Sequence, residues 1–359
     1  MITNLARFAL LPVILLASHS SVSAEDAIVP VLSEPIQPIP VDMALDPAKV
    51  TLGSLLFNDT RLSNDNSLSC ASCHKLESGG DDDMSIGISL GGNEHMVNTP
   101  TVFNARFNFR QQWDGAASSL EEQIDHVVHN HMEAGSNWDE LLAKLSKEPL
   151  LVDKFKHIYP DGITRENYLD ALTEFEKSLV TPNSRFDQYL LGNNEAISDD
   201  EKKGYLRFKE FGCISCHQGV NVGGNLFQKF GIFYDYLGER GDIINADYGR
   251  INVTNREADM HVFKVPSLRN VEVTAPYLHD GKAETLEQAI EIMGKTQIGK
   301  TISEEDVMLL VKFLNTLTGE YKGKSLAKDN SSTVDERLSQ EAQQNDNKPD
   351  PVQIDREKS

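Results

Sequence analysis

Cys70-Ala71-Ser72-Cys73-His74 and Cys213-Ile214-Ser215-Cys216-His217 are two copies of one pattern, C-x-x-C-H, and their reading decides what this chain is. The pattern is the attachment site of a c-type haem. Two thioether bonds tie the macrocycle to the sulfurs, and the adjacent histidine is placed to ligate the iron. A disulfide staple, a zinc site and a thioredoxin-like dithiol share the C-x-x-C spacing. The two copies use all four cysteines, which leaves those readings little room. Two covalent haem c groups are expected, on Cys70, Cys73 and His74 and on Cys213, Cys216 and His217.

Outward from each motif the chain repeats itself. Leu52-Gly-Ser-Leu-Leu-Phe57 precedes the first and Lys203-Gly-Tyr-Leu-Arg-Phe208 the second. This points to two cytochrome c-like haem domains, 46–184 and 185–320, each of ordinary domain size. Helix signals dominate. Ser119-Leu-Glu-Glu122, Ser198-Asp-Asp-Glu201 and Thr285-Leu-Glu-Gln288 have the capping-box form, and Ser303-Glu-Glu-Asp306 puts acids in a first turn. Apolar spacing predicts amphipathic helices over Leu141 to Ile158 and Tyr168 to Leu179. Gly231 to Tyr236 reads as a short strand. The expected class is mainly α, with short strands and long loops.

The ends of the chain carry different signals. Arg7, the apolar run Phe8 to Ala17 and Val22-Ser23-Ala24 make residues 1–24 resemble a secretory signal peptide. That run is shorter than the roughly 20 residues a membrane span needs, so no span is expected in the mature protein. Haem c is assembled outside the cytoplasm, and the periplasm is the expected address. Residues 25–45, rich in proline, read as an extended arm. Residues 321–359 have few large apolar side chains and read as a disordered, polar and acidic tail. The formal charge of -21 argues against nucleic acid as a partner, since phosphates would be repelled. It suits steering of a basic protein partner.

Five ordered strings give the chain a specific resemblance: LGSLLFNDTRLSNDNSLSCASCH (52–74), NTPTVFNARF (98–107), QWDGAASSLEEQ (112–123), FKVPSLRNVEVTAPYLHDG (263–281) and TLEQAIEIMGKTQIGK (285–300). From Asp46 to Gly319 it is similar to the bacterial di-haem cytochrome c peroxidases. The resemblance implies His217 and Met293 as the two ligands of an electron-transfer haem, a pair that raises the reduction potential. It implies His74 as proximal ligand of the reactive haem. The position of the family's removable distal histidine falls on Leu90, whose neighbours Ile88, Ser89 and Gly91 cannot replace an imidazole. His95 is the nearby candidate and reads more simply as a loop histidine. This haem is therefore expected to be open on one side and active without prior reduction.

By the same resemblance Glu133 is the catalytic carboxylate, Gln123 the distal glutamine and Trp113 an electron bridge between the haems. Asn98, Thr274 and Pro276 match the positions that hold a calcium ion, through an amide oxygen and two backbone carbonyls. Two residues depart from the pattern. Gln112 stands where an aromatic commonly precedes the tryptophan, and Ala116 replaces the arginine of WDGR. His279 is expected near a haem. His126, His129 and His131 have mixed spacing and read as surface or pocket-lining residues rather than a metal cluster. His157 and His261 support nothing by themselves.

The implied activity is reduction of hydrogen peroxide to water with electrons from a small redox protein, a cytochrome c or cupredoxin. By analogy the protein is a homodimer. Two rivals stand beside this reading. Related di-haem enzymes oxidise tryptophans of a partner protein, but resemble each other in a tyrosine where this chain has Met293. A non-enzymatic electron carrier would need two six-coordinate haems and gives Glu133 and Gln123 no role.

Overall fold

The computed structural model describes residues 34–92 and 97–327. The leader read over 1–24, His95 and the tail beyond residue 327 lie outside the described residues. The chain is mainly helical. In order the helices are α1 Pro47–Phe57, α2 Cys70–Cys73, α3 Leu120–His129, α4 Trp138–Leu145, α5 Pro149–Ile158, α6 Arg165–Ser178, α7 Arg185–Leu190, α8 Asp199–Glu210, α9 Tyr236–Arg240, α10 Ile251–Thr254, α11 Leu286–Met293 and α12 Glu304–Asn315. Two small antiparallel ribbons complete it: β1 Phe227–Lys229 with β2 Val262–Lys264, and β3 Glu320–Tyr321 with β4 Lys324–Ser325.

The repeat seen in the sequence becomes a repeated helix crossing. α1 packs on α6, and a methyl group at Gly53 would collide with the carbonyl oxygen of Ala171. One turn later Phe57 meets Phe175 edge-on, with ring centroids 5.2 Å apart. α8 packs on α12 in the same way, with Gly204 against the Leu309 carbonyl and Phe208 against Phe313 at 5.1 Å. Glycine lets the two backbones touch, and the phenylalanine four residues on fills the space that opens beside the crossing. Each crossing anchors its own core. Leu52, Leu56, Phe57, Ile124, Leu172 and Phe175 are buried in the first. Phe186, Tyr205, Phe208, Leu310 and Phe313 are buried in the second.

The two ends of the described chain cross over to the opposite half. Ile36, in the arm, is buried in the second core, and Gly219 donates to the Pro35 carbonyl at 2.8 Å. Arg269, fully buried and ion-paired to Asp187 at 2.7 Å, donates to the Gln37 carbonyl at 2.8 Å. At the other end Tyr321 packs on Phe103 of the first half, centroids 4.9 Å apart. Residues 320–325 thus form a hairpin, which corrects the expectation that the polar tail begins at 321. Between the halves, buried Asn104, Thr181 and Asn270 share hydrogen bonds of 2.8 to 3.2 Å.

Other expectations need correction. The single helix over Leu141 to Ile158 is two helices, α4 and α5, because Pro149 lacks the N–H that a continuous helix needs and starts a new one instead. Gly231 to Asp235 is an irregular bend and Tyr236 starts α9: Gly231 has φ +82°, and the pairing residues are 227–229 and 262–264. Ser198 forms a full capping box with Glu201. Ser119 and Thr285 cap their helices, but the return half is missing. Glu122 reaches Ser118 and Gln288 reaches the Glu284 N–H instead, one residue early.

Candidate active site

Both C-x-x-C-H motifs sit at a helix or single-turn end that presents the histidine inward. In α2 the Ser72 hydroxyl accepts from the Ser69 N–H at 3.0 Å, and His74 closes the turn through its N–H to the Cys70 carbonyl at 3.0 Å. His74 Nδ1 lies 3.1 Å from the Gly80 carbonyl oxygen, and His217 Nδ1 lies 3.3 Å from that of Val222. A carbonyl only accepts, so each Nδ1 carries the proton and each Nε2 keeps its lone pair. Burial lowers both imidazoles, His217 to about 4, so both stay neutral at physiological pH. That is the form that ligates a metal.

The four cysteines stand at the walls of two cavities. Burial raises Cys70 and Cys73 and pushes Cys213 up to about 11. A working redox dithiol needs the reverse, a depressed thiol. Two inward thiols beside a neutral imidazole with a free Nε2 fit covalent haem at both places.

The first cavity, about 390 Å³, is lined by Cys70, Cys73, His74, Gln123, Glu133 and Trp113. α3 supplies Gln123, Ile124 and Val127 on one face, and the turn after it brings Glu133 back to the same space. That turn is held by Glu133 N–H to the Asn130 carbonyl at 3.0 Å and Met132 N–H to Asn130 Oδ1 at 3.0 Å. The negative charge of Glu133 acts on both His74 and Cys73. Gly87, Ile88 and Ser89 close another wall, while Leu90 donates its N–H to the Met132 carbonyl at 2.8 Å. Among the described lining residues His74 is the one histidine.

The second cavity, about 320 Å³, is lined by Cys213, Cys216, His217 and Met293, with Met293 at the last turn of α11. Asn98, Thr274, Pro276 and His279 line it too. Trp113 belongs to both linings, and so do Thr99, Pro100, Thr101 and Phe263. The tryptophan is pinned at both ends. Its indole N–H donates to the Asn98 carbonyl at 2.9 Å, and its own carbonyl accepts from the Lys264 N–H at 2.9 Å. His279 stands edge-on to it, 6.3 Å between centroids, with Nε2 2.8 Å from buried Asp247. Arg240 holds that aspartate at 2.5 Å and Asp280 at 2.6 Å.

The remaining described histidines, His126, His129, His131, His157 and His261, stay out of both linings. His129 Nδ1 bonds the Asp125 carbonyl at 2.8 Å on the surface, and no metal-binding group of acids, histidines and cysteines occurs among the described residues. Two residues of the cavities escaped the sequence reading. Glu176 of α6 is buried in the lining of the first, and burial raises its carboxyl to about 8. Its spacing of four from buried Leu172 was the available signal. Lys264 is the other.

Glu176 gives the protein a pH dependence. Its folded value lies above the ordinary 4.5, so the folded state holds a proton that the unfolded state has lost. The stability contributed by Glu176 is therefore present below about pH 4.5 and is lost as pH rises through about 8. Glu176→Gln flattens this slope in chemical denaturation of the haem-loaded protein; equal slopes would show that another group carries it.

Known proteins are similar to this chain. The family model for di-haem cytochrome c peroxidase matches residues 47–195. Cytochrome c peroxidase Ccp of Escherichia coli (strain K12) is 46% identical over 290 residues, covering 80% of this chain and 62% of its own length. Cytochrome c551 peroxidase of Nitrosomonas europaea is 41% identical over 80% of this chain and 85% of its own. A crystal structure of a MauG-like protein associated with microbial copper homeostasis superposes with a TM-score of 0.69 at 27% identity, covering 80% of this chain and 93% of that one. With both attachment motifs, both cavities and the shared tryptophan in place, the chain belongs to the di-haem cytochrome c peroxidase family.

Proposed function

We propose that the protein reduces hydrogen peroxide to water in the periplasm, one molecule consuming two electrons and two protons, with electrons from a small cytochrome c or cupredoxin. Residues 46–184 form the peroxidatic domain and 185–320 the electron-transfer domain. The reading is carried by the asymmetry of the two linings. Both linings hold an attachment histidine and a methionine, but the first adds Gln123 and the carboxyls Asp114, Glu133 and Glu176, and the described lining of the second has no carboxyl.

The haems supply electron transfer and the electrophilic centre at which the O–O bond breaks. The chain supplies the rest. Gln123 donates its amide N–H to peroxide and orients it. Glu133 takes the proton from one peroxide oxygen on a carboxylate oxygen and returns it to the other, which leaves as water. Trp113, held rigid between the cavities, is the electron bridge. Met293, on the wall that carries His217, would complete that pair of ligands, and with no second histidine among the described residues lining the His74 cavity we propose that no prior reduction is needed.

Calcium is proposed at Asn98, Thr274 and Pro276. Asp81 supports it: its Oδ1 is buried without a hydrogen-bond partner, next to Gly79 and Thr274, and burial pushes its carboxyl up to about 7. A cation beside it would offset that desolvation. No helix among the described residues is long and apolar enough to cross a membrane.

The test joins steady-state peroxide consumption, using a reduced small cytochrome, to electron paramagnetic resonance of the oxidised protein. Turnover together with one high-spin and one low-spin iron is expected. Two low-spin irons and no turnover would leave an electron carrier. Peroxide reactivity without cytochrome oxidation would favour oxidation of a partner protein.

A further inference from the structure

Lys264 is the second cavity's unexplained charge. It lies in β2, only 7% exposed, in a lining otherwise made mostly of aromatic and aliphatic groups. Its backbone N–H is spent on the Trp113 carbonyl, which fixes where the side chain starts. Neither a hydrogen bond nor an ion pair reaches Nζ from the described residues. Burial alone acts on the ammonium, lowering it to about 8. Arg269, the other fully buried cation of this half, has Asp187 as its partner. A buried cation without one is costly, and a chain that keeps it has a counter-charge to come.

The haem brings carboxylates of its own, its propionates. We propose that Lys264 Nζ is the counter-charge of a propionate of the haem held by Cys213 and Cys216, and that this pairing positions the haem and raises its reduction potential. The cationic head neutralises a carboxylate that would otherwise stabilise the oxidised iron. In a low-dielectric cavity that effect is large. Lys264 is thus a positioning residue for the electron-entry centre, on the wall that also holds Trp113. The inference rests on the assignment of His217 and Met293 to this haem, and it is independent of the peroxide reaction.

Redox titration of the haem-loaded protein tests it. Lys264→Met lowers the equilibrium constant for reduction of the His217 haem about tenfold, a shift of about 59 mV for one electron. The His74 haem shifts less, and the sulfur-to-iron charge-transfer band persists. Lys264→Gln, which keeps a polar head, gives the same shift if the methionine variant fails to fold, and Lys264→Arg restores most of the wild-type potential. Unchanged potentials in Met and Gln variants, or equal shifts of both haems, would overturn the proposal. Absence of the charge-transfer band in the wild type would instead remove the Met293 assignment on which it rests.

Discussion

Glu133→Gln lowers peroxide turnover by about two orders of magnitude or more while leaving both haem spectra nearly intact. The substitution preserves shape, and the turn that presents the residue is held by backbone and Asn130, not by the carboxylate. What it removes is a site that accepts and returns a proton. Gln123 cannot take over, because an amide donates and accepts hydrogen bonds without exchanging a proton at neutral pH. Glu176, which with Asp114 is a further carboxyl of this cavity, already holds its proton at neutral pH and is a poor acceptor. Steady-state assays at saturating reduced cytochrome measure the effect. A variant of normal turnover would take Glu133 out of the mechanism.

Gly204→Ala destabilises the protein by about 2 kcal/mol. A methyl placed where α8 crosses α12 meets the Leu309 carbonyl and Phe313 Cβ, both on a rigid helix. Overpacking of this kind costs about 1–3 kcal/mol, and a backbone obstacle puts it at the upper end. Alanine recovers about 1 kcal/mol through its better helix propensity, so the clash wins. Gly53→Ala at the α1 and α6 crossing behaves alike. Leu206→Ala, exposed on the same α8, stays within about 0.5 kcal/mol. Thermal or denaturant melting of the three variants checks the order, and a neutral Gly204→Ala would mean that the crossing relaxes freely.

Much of the fold is legible in local sequence. The Gly-x-x-x-Phe repeat, the helix caps at Ser198 and Ser303 and the class of the fold all rest on local spacing. Covalent haem attachment, too, needs only two thiols and a histidine within five residues. The expectations that failed did so for local reasons of another kind. Pro149 interrupts an apolar period that continues on both sides of it, and the caps at Ser119 and Thr285 close one residue early. The hairpin at 320–325 is polar in composition and ordered by Phe103, far away in the chain.

Sequence by itself determined that the chain carries two haem c attachment motifs and that helices begin at Ser198 and Ser303, because those depend on neighbours within one or two turns. Tertiary structure alone decided that Ile36 and Tyr321 each cross to the opposite half, and that Glu176 and Lys264 lose their water. Burial and proximity across a hundred residues are properties of packing, and no local pattern encodes the desolvation that makes a carboxyl hold its proton or an ammonium need a partner.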